Sequence, residues 1–342
     1  MRLLLLLLCS TQLHAADLQT RLKWLLEVPL LGLMKFESHT PPTVTTATLG
    51  RLLFYDKRLS KDGTVSCASC HEVAHGFSAL TAVSTGIGGQ VGNRKAPPIL
   101  NKAFHAVQFW DGRAETLEAQ VVGPIVNPIE MGNTEENAVN TIAGVSGYGE
   151  YFKNAFGTTH VTMVRIATAV ADYERTLLSG NSKFDKWRNN PTSVNYTQLE
   201  ERGFQLFNDR ECHICHKAPS FTDDLFHNTG LAYKKGVLID EGRFGFTKLS
   251  GKGKDEEIGA FKTPSLRGLS NHGPYMHDGS LATLSDVVDF YNEGGRDNPH
   301  LDEDVVPLGL KAEDKKALVA FLETLEGEGF EDPVPLETEF PR

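Results

Sequence analysis

Two short segments with the same pattern of cysteine and histidine constrain this chain more than any other feature. They are Cys67-Ala68-Ser69-Cys70-His71 and Cys212-His213-Ile214-Cys215-His216. The pattern Cys-x-x-Cys-His is typical of covalent attachment of a c-type haem, in which two thioether bonds hold the porphyrin and the histidine ligates the iron. The sequence therefore predicts two covalently bound haem c groups, with His71 and His216 as iron ligands.

Closely spaced cysteines also occur in redox-active dithiols, in zinc sites and as structural disulfides. In both segments, however, a histidine directly follows the second cysteine, and neither segment lies in a thioredoxin-like βαβ pattern. One such motif could occur by chance, whereas two in the same chain are not expected by chance. These observations favour haem attachment over the three alternatives.

The fifth cysteine, Cys9, lies in a segment of another kind. Met1-Arg2 is a short positive start, residues 3–8 are all leucine, and Ala15 is a small residue near a cleavage point. This pattern predicts a secretory signal peptide over residues 1–16, because the apolar run is too short to span a bilayer. We expect the mature protein in the periplasm without a membrane span, which also fits haem attachment outside the cytoplasm.

The composition and a weak repeat indicate two domains. The 342 residues are 40% hydrophobic, and the formal net charge of -10 disfavours nucleic acid and suits a cationic partner protein. Residues 50–54 and 203–207 share the pattern Gly-x-x-Leu-Phe, and each precedes a haem motif, which indicates two related modules. Turn-forming residues before Pro191 predict a boundary there, so we assign the domains to residues 17–191 and 192–342.

Helical periodicity dominates the rest of the chain. Apolar residues recur at helical spacing over residues 18–26, 116–122, 161–178, 198–207, 285–292 and 312–325, whereas strand patterns are scarce. A Thr/Pro-rich stretch over residues 38–48 predicts irregular chain. The predicted fold class is mainly α, with long loops. Because strands are scarce, these loops must be held in place by contacts other than strand pairing.

The ligand on the other face of the second iron decides between electron transfer and reaction with a small molecule. Met276 lies downstream of His216 at the separation usual in small c-type cytochromes. Tyr291 is the other candidate, because it ends a helical stripe of apolar residues that begins at Leu284, which points the phenol to the buried side. The residues alone leave both candidates open.

Longer motifs resemble those of the bacterial di-haem cytochrome c peroxidase family. They are Phe109-Trp110-Asp111-Gly112-Arg113, Gln120, Gly123-Pro124 and Asn127-Pro128-Ile129-Glu130-Met131 in the first half, and Phe261-Lys262-Thr263-Pro264-Ser265-Leu266-Arg267 and Pro274-Tyr275-Met276-His277-Asp278-Gly279-Ser280 in the second. The resemblance covers nearly the whole mature chain. It implies two class I cytochrome c-like domains, with the haems near the domain interface.

One further motif indicates a branch of that family. The segment Phe290-Tyr291-Asn292-Glu293-Gly294-Gly295 is more similar to the MauG-like branch than to the peroxidases proper, which carry methionine at the position of Tyr291. The resemblance implies that His216 and Tyr291 ligate the second iron and that Met276 has a packing role.

The resemblance also implies a peroxide site at the first haem. Glu130 corresponds to the carboxylate that relays a proton between the two peroxide oxygens, with Gln120 and Pro124 nearby. Trp110 corresponds to a tryptophan between the haems that carries electrons or oxidising equivalents.

The chain departs from the family pattern at three positions. Ile87 replaces a histidine that ligates the peroxidatic iron in many members, so we expect the first haem to be five-coordinate or water-bound. Lys95 replaces an asparagine that binds calcium, and an ammonium group replaces the charge of a cation rather than coordinating it, which argues against calcium. Arg210 and Glu211 stand where MauG has a surface tryptophan.

These features predict a periplasmic di-haem peroxidase that reduces hydrogen peroxide to water. Electrons would come from a small donor protein such as a cytochrome c or a cupredoxin. One alternative is a MauG-like oxidase that modifies a partner protein by long-range electron removal, although Arg210 argues against the same substrate. The other is a non-enzymatic di-haem electron carrier with two six-coordinate irons.

Overall fold

Helices carry most of the regular structure. The computed structural model describes residues 18–23, 41–270, 272–330 and 332–342, and the predicted signal peptide over residues 1–16 lies outside them. Residues 18–23 are helical. The further α-helices are α1 (Val44–Tyr55), α2 (Leu117–Val126), α3 (Glu135–Ala143), α4 (Tyr148–Phe156), α5 (Met163–Arg175), α6 (Lys183–Asn189), α7 (Gln198–Asp209), α8 (Cys212–Cys215), α9 (Arg243–Thr247), α10 (Leu284–Asn292) and α11 (Ala312–Glu323).

Strands are short and few among the described residues. β1 (Phe226–His227) pairs antiparallel with β4 (Phe261–Lys262), and β2 (Tyr233–Lys234) pairs antiparallel with β3 (Val237–Leu238). The predicted mainly α class is therefore confirmed. No helix in the described part of the chain is long and apolar enough to cross a membrane.

Several helix ends differ from the sequence-based prediction, most clearly the start of α1 and the end of α2. Helix α1 begins at Val44, inside the stretch predicted to be irregular, because Thr43 and Thr46 form a capping box that satisfies the first backbone amides. Helix α2 continues to Val126 although the pattern predicts its end at Val122. It passes through Pro124, which has no N–H to donate within the helix.

The buried apolar residues form two large cores. The first core contains α1 and α5 and includes Phe54 and Tyr173, whereas the second contains α7 and α11 and includes Phe207 and Phe321. Helix α6 precedes the predicted boundary at residue 191, yet its Phe184 packs in the second core. The end of the chain returns to the first core, where Phe330 and Phe340 pack.

The repeated Gly-x-x-Leu-Phe segments occupy equivalent positions in the two cores. A Cβ added to Gly50 would lie 1.8 Å from the carbonyl oxygen of Ala169, and one added to Gly203 would lie 1.9 Å from that of Ala317. Each glycine thus lets its helix cross a partner helix at backbone contact, α1 against α5 and α7 against α11. The same crossing places each haem motif beside its own core.

Candidate functional site

The first Cys-x-x-Cys-His segment folds into a single tight turn. Its Cys67 begins a 3-10 turn, and the His71 amide donates a hydrogen bond to the Cys67 carbonyl at 3.0 Å. Both thiols and the imidazole therefore line one cavity. Neither cysteine is in a disulfide, so both sulfur atoms remain available for attachment.

The orientation of His71 is set by a backbone group. Its Nδ1 donates a hydrogen bond to the carbonyl oxygen of Phe77 at 3.1 Å. Burial lowers the pKa of His71 to about 4, so the ring is neutral. With the proton on Nδ1, the lone pair lies on Nε2, which is the form of histidine that ligates iron.

The second segment repeats this arrangement. Cys212, Cys215 and His216 line a second cavity, and helix α8 is the turn that carries both thiols. The His216 Nδ1 donates to the carbonyl oxygen of Phe221 at 3.0 Å, and burial lowers the pKa of His216. Each cavity therefore offers two unpaired thiols and one neutral imidazole, a donor set that fits one c-type haem.

Three residues that the sequence singled out lie together in the first cavity. Glu130, Gln120 and Pro124 all line it, with His71 in the same wall. Burial raises the pKa of Glu130, while the Arg113 guanidinium acts in the opposite direction. A half-buried carboxyl group with a raised pKa holds a proton more readily than an exposed one, so it can accept a proton and return it.

Ile87 contributes nothing to this cavity. Its amide donates to the Glu130 carbonyl at 2.8 Å, and its Cδ1 packs so closely on Gly132 that an added Cβ there would lie 2.1 Å away. His75, the histidine nearest to His71 in the sequence, ends a 3-10 turn and also lies outside the lining. Among the described residues that line the first cavity, His71 is the only histidine.

Both candidate ligands for the second iron line the second cavity. Met276 and Tyr291 share that cavity with His216. The apolar stripe that precedes Tyr291 on α10 lines it too, as the helical spacing predicts. Burial raises the pKa of the Tyr291 phenol, with the nearby thiols of Cys212 and Cys215 acting in the same direction.

The two cavities share one wall. Lys95, Trp110, Lys262 and Pro264 line both. The Trp110 Nε1 donates to the Lys95 carbonyl at 2.8 Å, and the Lys262 amide donates to the Trp110 carbonyl at 2.7 Å. Trp110 thus lies between the cavities, held on both sides by backbone hydrogen bonds.

Sequence reasoning missed the role of Arg113. The guanidinium lies over the Phe109 ring at 3.5 Å and donates to Asp111 at 2.8 Å, while Arg94 donates to the same carboxylate at 2.6 Å. Because Arg113 also lines the first cavity, its charge acts on Glu130. The signal was present, since Arg113 ends the Phe109–Arg113 motif.

Known proteins are similar to this chain over most of its length. Residues 45–193 match the family model described as di-haem cytochrome c peroxidase. The chain is 40% identical to the methylamine utilization protein MauG of Methylorubrum extorquens over 84% of this chain and 80% of that protein. It is 37% identical to the cytochrome c551 peroxidase of Nitrosomonas europaea over 87% of this chain and 84% of that protein.

A solved structure is also similar over most of its length. It is that of a MauG-like protein associated with microbial copper homeostasis, at a TM-score of 0.78 and 33% identity. The similarity covers 86% of this chain and 94% of that chain.

Proposed function

Because this chain belongs to the di-haem cytochrome c peroxidase family, a family of oxidoreductases, we propose that it reduces hydrogen peroxide to water at the first cavity. The observation that carries the proposal is the position of Glu130 in the same cavity as His71. The reaction consumes two electrons and two protons for each peroxide. The chain must therefore supply a proton route as well as an electron route.

The residues of the first cavity supply the proton route. The Glu130 carboxylate accepts a proton from one peroxide oxygen and returns it to the other, which then leaves as water. The Gln120 amide is a hydrogen-bond donor that orients the peroxide, and the Pro124 ring limits the entry of water. The haem, when bound through Cys67, Cys70 and His71, supplies the iron that passes electrons to peroxide.

The second cavity receives electrons and passes them on. Cys212 and Cys215 would attach the second haem, and His216 and Tyr291 would ligate its iron, with Met276 as the alternative to Tyr291. A phenolate ligand stabilises the ferric state relative to methionine and so lowers the reduction potential. Trp110, in the shared wall, carries electrons or oxidising equivalents between the two sites.

The setting of the reaction is part of the same proposal. Residues 1–16 direct export and are removed, and residues 17–191 and 192–342 form the peroxidatic and electron-transfer haem c domains. The two glycine-mediated helix crossings support two equivalent modules. The donor is a small basic protein such as a cytochrome c or a cupredoxin, which the net charge of -10 would attract. Lys95 stands where the family has a calcium-binding asparagine and supplies a positive charge there, which argues against calcium.

Stopped-flow mixing of the ferric protein with peroxide tests this function. We expect an electron paramagnetic resonance spectrum with one high-spin haem, a rapid spectral change on mixing, and steady peroxide consumption with a reduced small cytochrome c. A ferric protein with no high-spin haem and no spectral change would instead support the electron-carrier alternative, and the role of Glu130 would be lost.

A second candidate function, oxidation of a partner protein, is favoured by the identity to MauG. Arg210 and Glu211, which line the second cavity, occupy the place of the MauG surface tryptophan and argue against the same route. Peroxide consumption that depends on one specific protein, which itself becomes covalently modified, would favour this alternative. Consumption with several unrelated reduced donors would favour the peroxidase.

A further inference from the structure

Two lysine side chains in the wall between the cavities are buried as deeply as apolar residues. Lys95 is 3% exposed and Lys262 is 4% exposed, and both line both cavities. Burying an ammonium group is costly unless an anion or several hydrogen-bond acceptors compensate. The hydrogen-bond acceptors around each ammonium group therefore show how much of its charge the protein itself compensates, and what kind of ligand could compensate the rest.

The Lys95 ammonium lacks a carboxylate partner within the described residues. Its Nζ donates only to the carbonyl oxygen of Ala79, and no salt bridge joins it to a described Asp or Glu. Burial lowers its pKa to about 8, and the more distant charge of Glu72 offsets this effect only in part. Its backbone is held on both sides, since its amide donates to the His277 carbonyl at 2.8 Å and its carbonyl accepts from Trp110.

Lys262 is only partly compensated. Its Nζ lies 3.2 Å from Asp224, but that carboxylate also accepts a shorter hydrogen bond of 2.6 Å from His105. Burial lowers the pKa of Lys262 even with Asp224 beside it. A third group in the second cavity is unsatisfied, because the Nε2 of His272 is buried without a partner.

We propose that the ammonium groups of Lys95 and Lys262 bind the propionate carboxylates of the two haems at this shared wall. Haem carries two such carboxylates. A charge-assisted hydrogen bond to a carboxylate is absent for Lys95 among the described residues, and Lys262 makes one only to Asp224, which it shares with His105. Because both lysines line both cavities, the charge of each one acts on the two haem sites together. The inference rests on the proposed occupancy of both cavities by haem.

The coupling makes a specific prediction about reduction potentials. Loss of a buried positive charge stabilises the oxidised, more positive state of a nearby iron, so it lowers the potential. Lys95→Met is therefore expected to lower the potentials of both haems, and Lys262→Met is expected to do the same. The matched comparison is Lys102→Met, because Lys102 lines the first cavity alone, so its loss should shift the potential of the first haem more than that of the second.

Spectroelectrochemical titration of the loaded protein resolves the two potentials, and resonance Raman spectra report the propionate modes. The proposal requires both potentials to fall in Lys95→Met, together with shifted propionate bands. A shift confined to one haem, no shift, or unchanged propionate bands would overturn it. If Lys95→Met does not take up haem, Lys262→Met carries the same test.

The outcome is independent of catalysis. If the parent protein takes up two haems but does not reduce peroxide, the proposed activity is contradicted and the proposed lysine contacts are not. If the parent protein reduces peroxide but both lysine variants keep unaltered reduction potentials, the proposed contacts are contradicted and the proposed activity is not.

Discussion

The backbone carbonyl of Phe77 accepts a hydrogen bond from Nδ1 of His71 at 3.1 Å. The second site repeats this bond between Phe221 and His216 at 3.0 Å. The two phenylalanines have φ values of 56° and 55°, a left-handed conformation that few non-glycine residues adopt. A strained backbone conformation persists only where the surrounding structure holds it in place. Here it directs the carbonyl group of each phenylalanine toward the histidine. Both imidazoles are thereby held as the Nδ1-protonated tautomer, with Nε2 free for iron.

Helix crossing at Gly50 predicts a sharp effect on stability. Gly50→Ala places a Cβ 1.8 Å from the Ala169 carbonyl oxygen, so α1 and α5 must separate. Overpacking of a core costs about 1–3 kcal/mol, and this contact involves rigid backbone, so we expect the upper end of that range. Urea unfolding followed by circular dichroism measures the change.

The control for this variant is Gly149→Ala in α4. An added Cβ there meets only Thr159 at 3.7 Å, an ordinary contact, and alanine favours the helix by roughly 0.5–1 kcal/mol. Equal stabilities of the two variants would show that α1 and α5 are not in backbone contact.

Replacement of Glu130 is expected to slow the reaction with peroxide. Glu130→Gln keeps the shape of the side chain but cannot relay a proton, and a positioned general acid-base group contributes about 10²–10⁴-fold. The rate of the stopped-flow spectral change should fall by a factor in that range, while haem content stays the same. The exposed Glu136→Gln is the control, and an equal rate in both variants would exclude Glu130 as the relay.

The pH dependence of this rate should respond to Arg113. The relay must begin as a carboxylate, so the rate falls as the pH falls through the pKa of Glu130, which burial raises. Arg113 holds that pKa down, so Arg113→Gln should raise it further and move the acid limb of the pH profile to higher pH.

Rates measured over a series of pH values for the parent protein and for Arg113→Gln locate this limb. Arg165→Gln is the control, because Arg165 also lies over a phenylalanine ring, that of Phe156 at 5.6 Å, but outside both cavities. An acid limb that does not move in Arg113→Gln would mean that another group sets it.

The ligand of the second iron is distinguished by two variants. Tyr291→Phe removes the phenol oxygen, so the second-haem signals in the electron paramagnetic resonance spectrum of the ferric protein should change. Met276→Leu should leave them unaltered, although both side chains line the same cavity. The reverse result would identify Met276 as the ligand of the second iron, and a low reduction potential would then no longer be expected for that haem.

Prediction from sequence was most successful where structure depends on local spacing. The ends of α7 and α11 lie within two residues of their predictions, because their apolar stripes follow the helical period. Helix α1 begins inside the stretch predicted to be irregular, since the cap at Thr43 acts through side-chain geometry that a Thr/Pro-rich composition does not reveal. The grouping of Glu130 and Gln120 came from family resemblance, and periodicity alone would have left Glu130 an ordinary loop carboxylate.

The sequence by itself determined which cofactor groups this protein is built for, because two thiols and a histidine within five residues need only one local turn to face the same way. Only the tertiary structure decided how the two sites are joined. Lys95, Trp110 and Lys262 lie far apart in the chain and meet in one wall. No local sequence pattern predicts their burial in this wall. That burial sets the protonation of the two lysines and the hydrogen bonds of all three residues, and through them the effect of one site on the other.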